Sequence, residues 1–106
     1  KRTRSKMAKW REAVRVEDFK RTHKFVYRRK EIAIYKLEDG IYCLDNVCSH
    51  EYSQFHGGMI LDGDVFCPKH GSRFEIRTGK VKDFPATQDV QTHPVKVDDG
   101  RVFIKI

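Results

Sequence analysis

Residues 48–80 read CSHEYSQFHGGMILDGDVFCPKHGSRFEIRTGK, and the rest of the chain can be read outward from this stretch. Near its middle, Leu61-Asp62-Gly63-Asp64 is a tight-turn signal between residues 59–61 and 65–67. Its Asp-Gly pair tolerates the positive φ that a two-residue hairpin loop demands. The same device recurs on both sides. Glu38-Asp39-Gly40 turns the run 31–37 back as 41–44, and Asp98-Asp99-Gly100 joins 95–97 to 102–106. Residues 73–77 alternate and close on Thr78-Gly79, and residues 25–29 form a further short run rich in aromatic and β-branched side chains. Helical signal is confined to 16–20, where Glu17 and Asp18 suit the N-terminal end of a turn. The expected fold class is therefore all-β, an antiparallel sandwich or barrel. Residues 46–72 carry more loop chemistry than strand.

At 106 residues the chain has the size of one domain. A chain this short buries only about two-thirds of its unfolded surface, so a bound metal centre adds materially to its stability. No apolar run approaches the roughly 20 residues that cross a bilayer, and no secretory signal is visible. The expectation is a cytoplasmic protein without membrane contact.

The net charge of +7 invites a nucleic-acid reading, but its distribution argues against one. Lys1, Arg2, Arg4 and Lys6 supply four charges, and Met7-Ala8-Lys9-Trp10 reads as a natural start with residues 1–6 a basic appendage. The remaining residues carry 18 basic against 15 acidic side chains, net +3. A second basic stretch, residues 20–30, contains Lys20, Arg21, Lys24, Arg28, Arg29 and Lys30. It is either a solvated hairpin face or a surface that steers an acidic redox partner.

Three cysteines, an odd number, argue against a disulfide scaffold. Cys43 lies inside Ile41-Tyr42-Cys43-Leu44 and reads as a small buried residue. The other two stand beside histidines, as Cys48-Ser49-His50 and, after 16 intervening residues, Cys67-Pro68-Lys69-His70. Each loop offers one thiolate and one imidazole, ligands suited to iron or zinc. Gly57, Gly58 and Gly71 flank them and let the backbone bend around a bulky centre. A common zinc finger groups its cysteines together and its histidines together. Alternation instead lets each loop donate one ligand to each of two irons, the His₂/Cys₂ arrangement of a [2Fe–2S] centre. The binuclear iron reading leads, with structural zinc and a binding module as the competing one.

The stretch 48–80 resembles Rieske-type ferredoxins, and the strand pattern extends the likeness over residues 9–106. The resemblance is to the soluble ferredoxins of bacteria and archaea, including those that serve non-haem iron oxygenases. It implies a Rieske fold with an antiparallel base, residues 7–45 and 73–106, and a cluster-binding lobe, residues 46–72, within a single domain. It implies one [2Fe–2S] cluster, with Cys48 and Cys67 on the inner iron and His50 and His70 on the outer. It implies a monomeric one-electron carrier between a reductase and an acceptor such as an oxygenase, and not an enzyme by itself. A subunit of a larger oxidoreductase is the related alternative. Phe84-Pro85-Ala86 matches a third loop that covers the cluster.

Two departures from respiratory and photosynthetic relatives bear on the potential. Ser53 and Lys69 stand where those proteins have a disulfide pair. Ser72 keeps one hydrogen-bond donor to sulfur, whereas Phe74 replaces a Tyr that supplies another, which implies a potential in the lower part of the family's range. His56 reads as a surface or turn residue, and His23 and His93 carry no functional expectation. Lys69, Arg73 and Glu51 flank the ligands and either contact a partner or are solvated. No nucleophile–base pair or phosphate-cradling loop is present.

Overall fold

The computed structural model describes residues 8–46, 58–67, 71–83 and 88–106. Nine strands form three antiparallel three-stranded sheets among these residues. Sheet A, in the order β1-β9-β8, is built from β1 (Trp10–Arg15), β8 (Val95–Asp98) and β9 (Arg101–Lys105). Sheet B, β2-β3-β4, contains β2 (Thr22–Tyr27), β3 (Lys30–Leu37) and β4 (Gly40–Asp45). Sheet C, β5-β6-β7, contains β5 (Ile60–Leu61), β6 (Asp64–Phe66) and β7 (Arg73–Glu75).

Strand β3 explains how the sheets stack. Successive side chains on a strand point to opposite faces, and here both faces are buried. Ile32 and Ile34 enter one core with Phe19, Cys43, Val102 and Ile104, which lies between sheets A and B. Ala33 and Tyr35 enter another with Leu44, Val65, Cys67, Phe74, Ile76 and Val90, which joins sheet B to sheet C. Sheet B is thus the shared middle layer.

The expected hairpins at Asp62-Gly63 and Asp99-Gly100 are both present. Each has two consecutive left-handed residues, Asp62 at φ 53° with Gly63 at 80°, and Asp99 at 55° with Gly100 at 72°. That is the backbone a two-residue loop needs to match strand twist. Residues 16–20 supply only a 3₁₀ turn, Val16–Asp18. Lys36 Nζ caps its far end, donating to the Val16 and Phe19 carbonyl oxygens at 2.8 and 2.6 Å.

The structure corrects the sequence reading in three places. Strand β1 has no counterpart among the expected strands; it pairs with β9 and carries a bulge between Glu12 and Val14. The run expected at 25–29 starts earlier, at Thr22, and ends at Tyr27. Arg28 and Arg29 form the turn of the β2–β3 hairpin, with Arg28 at φ 58°, although neither is a usual turn residue. Stacking of the Arg28 guanidinium on the Tyr27 ring, 5.2 Å from its centroid, accompanies that conformation, and Arg11 approaches the same ring at 4.2 Å. The run 73–77 pairs only as far as Glu75, and its remainder is turn.

Candidate metal centre

Of the four expected ligands, Cys67 lies among the described residues; Cys48, His50 and His70 lie outside them, as do Glu51, Ser53, His56, Lys69 and the segment 84–87 with Phe84-Pro85-Ala86. What the structure gives is the frame around those segments. Among the described residues no group of three or more His, Cys, Asp or Glu side chains gathers as a metal site.

Cys67 follows β6 and is 2% exposed, a free thiol in the core shared with Phe74, Val65 and Tyr35. The chain that leaves it returns within five residues. Cys67 N–H donates to the Ser72 carbonyl at 2.7 Å, and Gly71 N–H donates to the Cys67 carbonyl at 2.9 Å. Gly71 sits at φ 78°, which a side chain seldom adopts. The loop holding His70 is therefore closed at its neck by two backbone hydrogen bonds, and both flanking strands pair through Val65↔Phe74 and Phe66↔Arg73. A buried thiol outside any disulfide, held in a short backbone-tied hairpin, fits a thiolate metal ligand. Tyr35, in the same core, has a hydroxyl with no hydrogen-bond partner among the described residues, and burial pushes its ionisation above the ordinary tyrosine range.

The segment 47–57 is anchored at both ends. At one end Asn46, fully buried, donates its N–H to the Glu31 carbonyl at 2.9 Å. At the other, the Met59 carbonyl accepts the Phe66 N–H at 2.9 Å, and Gly58, Met59 and Ile60 line a groove with Arg21 and Thr22. The neck of 84–87 is pinned as well. Lys82 N–H donates to the Arg73 carbonyl at 2.7 Å, Val81 N–H to Asp89 Oδ1 at 2.9 Å, and Val90 N–H to the Gly79 carbonyl at 2.8 Å.

His93, which carried no expectation, belongs to this frame. Its ring is 7% exposed and its Nε2 lies 2.7 Å from Asp45 Oδ1, joining the strand that leads into 47–57 to the segment that follows 84–87. Asp45 N–H donates to the Gln91 carbonyl at 2.9 Å beside it. Cys43 is buried as expected, donates its S–H to the His93 carbonyl at 3.2 Å, and has its thiol pushed up to about 12 by that burial. The His93–Asp45 pairing spans 48 residues, and neither partner sits in a recognisable motif.

Arg73 and Ser72 lie beside the Cys67 hairpin. Arg73 Nε is 3.1 Å from Asp83 and 3.8 Å from the buried Asp64, whose other close cation is Lys82 at 3.1 Å. Arg73 is thus part of an ion network, not a simply solvated charge. Ser72 and Phe74 are both fully buried. His23 stacks near Phe19, with ring centroids 5.9 Å apart.

Comparison with known proteins supplies the chemistry of the frame. The Rieske [2Fe–2S] domain family matches residues 9–94. The chain is 36% identical over 100 residues to the ferredoxin component of the naphthalene 1,2-dioxygenase system of Pseudomonas putida, covering 92% of this chain and 96% of that one. It is 40% identical over 77 residues to the ferredoxin component of the naphthalene 1,2-dioxygenase/salicylate 5-hydroxylase systems of a Ralstonia species, covering 73% and 74%. The solved Sphingomonas yanoikuyae B1 ferredoxin superposes with a TM-score of 0.83 at 27% identity, over 92% of this chain and 99% of its own. The antiparallel fold is that of these ferredoxins, and the chain belongs to the Rieske [2Fe–2S] family.

Proposed function

We propose that the chain is the ferredoxin component of an oxygenase-type redox system, taking one electron at a time from a reductase and passing it to an oxygenase. A [2Fe–2S] cluster, one per chain, is its cofactor, and it serves as an electron-transfer component of such a system and not as the enzyme. The observation that carries the reading is the 36% identity running through 96% of a dioxygenase-system ferredoxin component.

In this reading residues 46–72 form the cluster-binding lobe on the base 7–45 and 73–106. Cys48 and Cys67 hold one iron and His50 and His70 the other. The cluster supplies a single reversible electron, and its potential is set by hydrogen bonds, charge and solvent exposure. The described residues contribute a buried seat for Cys67, a closed neck under His70 and fixed roots for the other two loops. The protein works as a cytoplasmic monomer; among the described residues no helix is long and apolar enough to cross a membrane.

The test is analytical. Anaerobically purified protein should contain two irons and two acid-labile sulfides per chain, and on reduction should give a rhombic paramagnetic resonance signal of low average g. A colourless protein with one zinc per chain would refute the reading.

A further inference from the structure

We propose that strand β2 and the turns at its two ends form the docking surface for the redox partner, and that the partner presents an acidic face to it. This rests on the electron-carrier reading and adds the chemistry of what is recognised.

The first observation is position. Strand β2 is an outer strand of sheet B, and Gly58, which follows the segment holding Cys48 and His50, lies beside its start, while Asn46, which precedes that segment, lies one strand away across β3. Asn46 is hydrogen-bonded to Glu31, which pairs across the hairpin with Val26 of β2. Gly58 to Ile60 share a groove with Arg21 and Thr22 at the start of β2. A partner seated on β2 therefore lies against Gly58 and Met59, next in sequence to the segment read as ligand-bearing.

The second observation is charge. Between residues 20 and 30 stand Lys20, Arg21, Lys24, Arg28, Arg29 and Lys30, all exposed, with no acidic residue among them. Lys24 and Lys30 each have a distant carboxylate, at 4.0 Å from Glu31 and 3.7 Å from Asp45. Lys20, Arg21, Arg28 and Arg29 pair with no carboxylate among the described residues. Charged side chains commonly guard an edge strand against unwanted pairing. That need applies equally to other outer strands, and three of those mix their signs: β1 carries Arg11, Glu12 and Arg15, β8 carries Lys96 and Asp98, and β7 carries Arg73 and Glu75. The stretch 20–30, β2 with the turns at its two ends, gathers six cations and no anion, as a field that orients an incoming protein requires.

The third observation is the apolar surface at the same place. Met59 is 62% exposed and Leu61 54% exposed, next to the Arg21 groove. An apolar centre rimmed by polar and charged groups is the ordinary anatomy of a protein interface. The partner face that complements it is an apolar contact surrounded by carboxylates.

The experiment uses the cluster-loaded protein and poly-L-glutamate as the acidic probe. Binding is followed by titration calorimetry at low ionic strength. In parallel, the reduced protein gives up its one electron to hexacyanoferrate(III), an anion, or to tris(phenanthroline)cobalt(III), a cation, each reduced by one electron in a stopped-flow mixer. Two charge-matched double variants are compared: Arg21→Glu/Arg29→Glu on the proposed surface, and Lys96→Glu/Lys105→Glu on the outer face of sheet A. Wild type should bind poly-L-glutamate and react faster with the anion than the Arg21→Glu/Arg29→Glu variant by at least about tenfold, an advantage that salt removes. The sheet A variant should keep both properties to within about threefold. Equal losses in the two variants would mean that net charge alone is at work and would overturn the proposal. So would undiminished binding by Arg21→Glu/Arg29→Glu. A protein that transfers no electron to either complex would overturn the electron-carrier reading itself, an outcome distinct from both.

Discussion

The core between sheets A and B and the region around sheet C are held together by different means. The first is a plain hydrophobic core, with Ile32, Ile34, Val102 and Ile104 at 0% exposure and supplied by strands of five and eight residues. Sheet C has strands of two, three and three residues, too short to stand alone. Its buried set includes Asp64, Ser72 and Cys67 beside the apolar side chains, and its exits are tied by backbone hydrogen bonds at Cys67–Ser72 and Gly79–Val90. One region is stabilised almost wholly by what it excludes from water, the other by an apolar core of its own together with buried polar groups and backbone ties. The difference suits the proposed carrier, in which binding the metal would add order to sheet C while the core between sheets A and B stands without it.

Removing the iron tests that contrast most severely. Chelation of reduced protein should strip hydrogen-exchange protection from the amides of residues 60–75 at least about tenfold more than from β3 and β9, because binding energy at a metal site is folding energy for the segments that supply it. Uniform loss across the chain would show one cooperative unit instead of two unequal ones. The converse experiment attacks the base. Ile34→Ala, at a fully buried site, should cost about 2–5 kcal/mol in chemical denaturation. Cluster absorbance should then disappear together with the base, not before it.

A smaller effect probes the polar side of sheet C. Phe74 is fully buried in the core that holds Cys67. Phe74→Tyr should raise the reduction potential by roughly 40 mV if its hydroxyl donates to sulfur, the one-electron equivalent of a hydrogen bond worth about 1 kcal/mol more in the reduced state. An unchanged potential with stability lowered by about 1–3 kcal/mol would show that the hydroxyl is buried without a partner.

The smallest effect lies at the surface, where Arg77 grips Asp39 through two hydrogen bonds of 2.9 Å. Those bonds hold the Asp39 carboxyl below the usual carboxylate range. A carboxylate whose folded pKa is depressed stabilises above its unfolded value, about 4, and loses that contribution as pH falls. Asp39→Asn should flatten the pH dependence of stability between about pH 5 and 3 by a small margin, since the pair is exposed. An unaltered profile would remove the pair from the electrostatics of folding.

What could be read from sequence follows the range of the interaction. The Asp62-Gly63 and Asp99-Gly100 hairpins were visible because two adjacent residues decide their backbone. The alternation of thiolate and imidazole was visible because each half-site is local. Strand β1 was not, because its pairing partner β9 lies some 90 residues on and its sequence, WREAVR, offers little alternation. The Arg28 turn was missed because arginine carries no turn signal, and the His93–Asp45 contact because nothing nearby marks either residue. The ligand set remains the part of the site read from spacing, with Cys67 the member whose surroundings the structure describes.

Gly79 carries a consequence for how this sequence can drift. It sits at φ 78°, accepts the Val90 N–H and donates to the Glu75 carbonyl at 2.7 Å. A Cβ built there would fall on the Val90 carbonyl oxygen and crowd the Thr92 methyl. Backbone, unlike the tip of a long side chain, cannot step aside, so even alanine is shut out on both conformational and steric grounds. In a library randomised at every codon, position 79 should return glycine almost alone under selection for a coloured protein, while its exposed neighbours Thr78 and Lys80 accept wide replacement. Natural variation here is therefore confined around a fixed point where two chain segments meet, whatever substrates the surrounding redox system comes to serve.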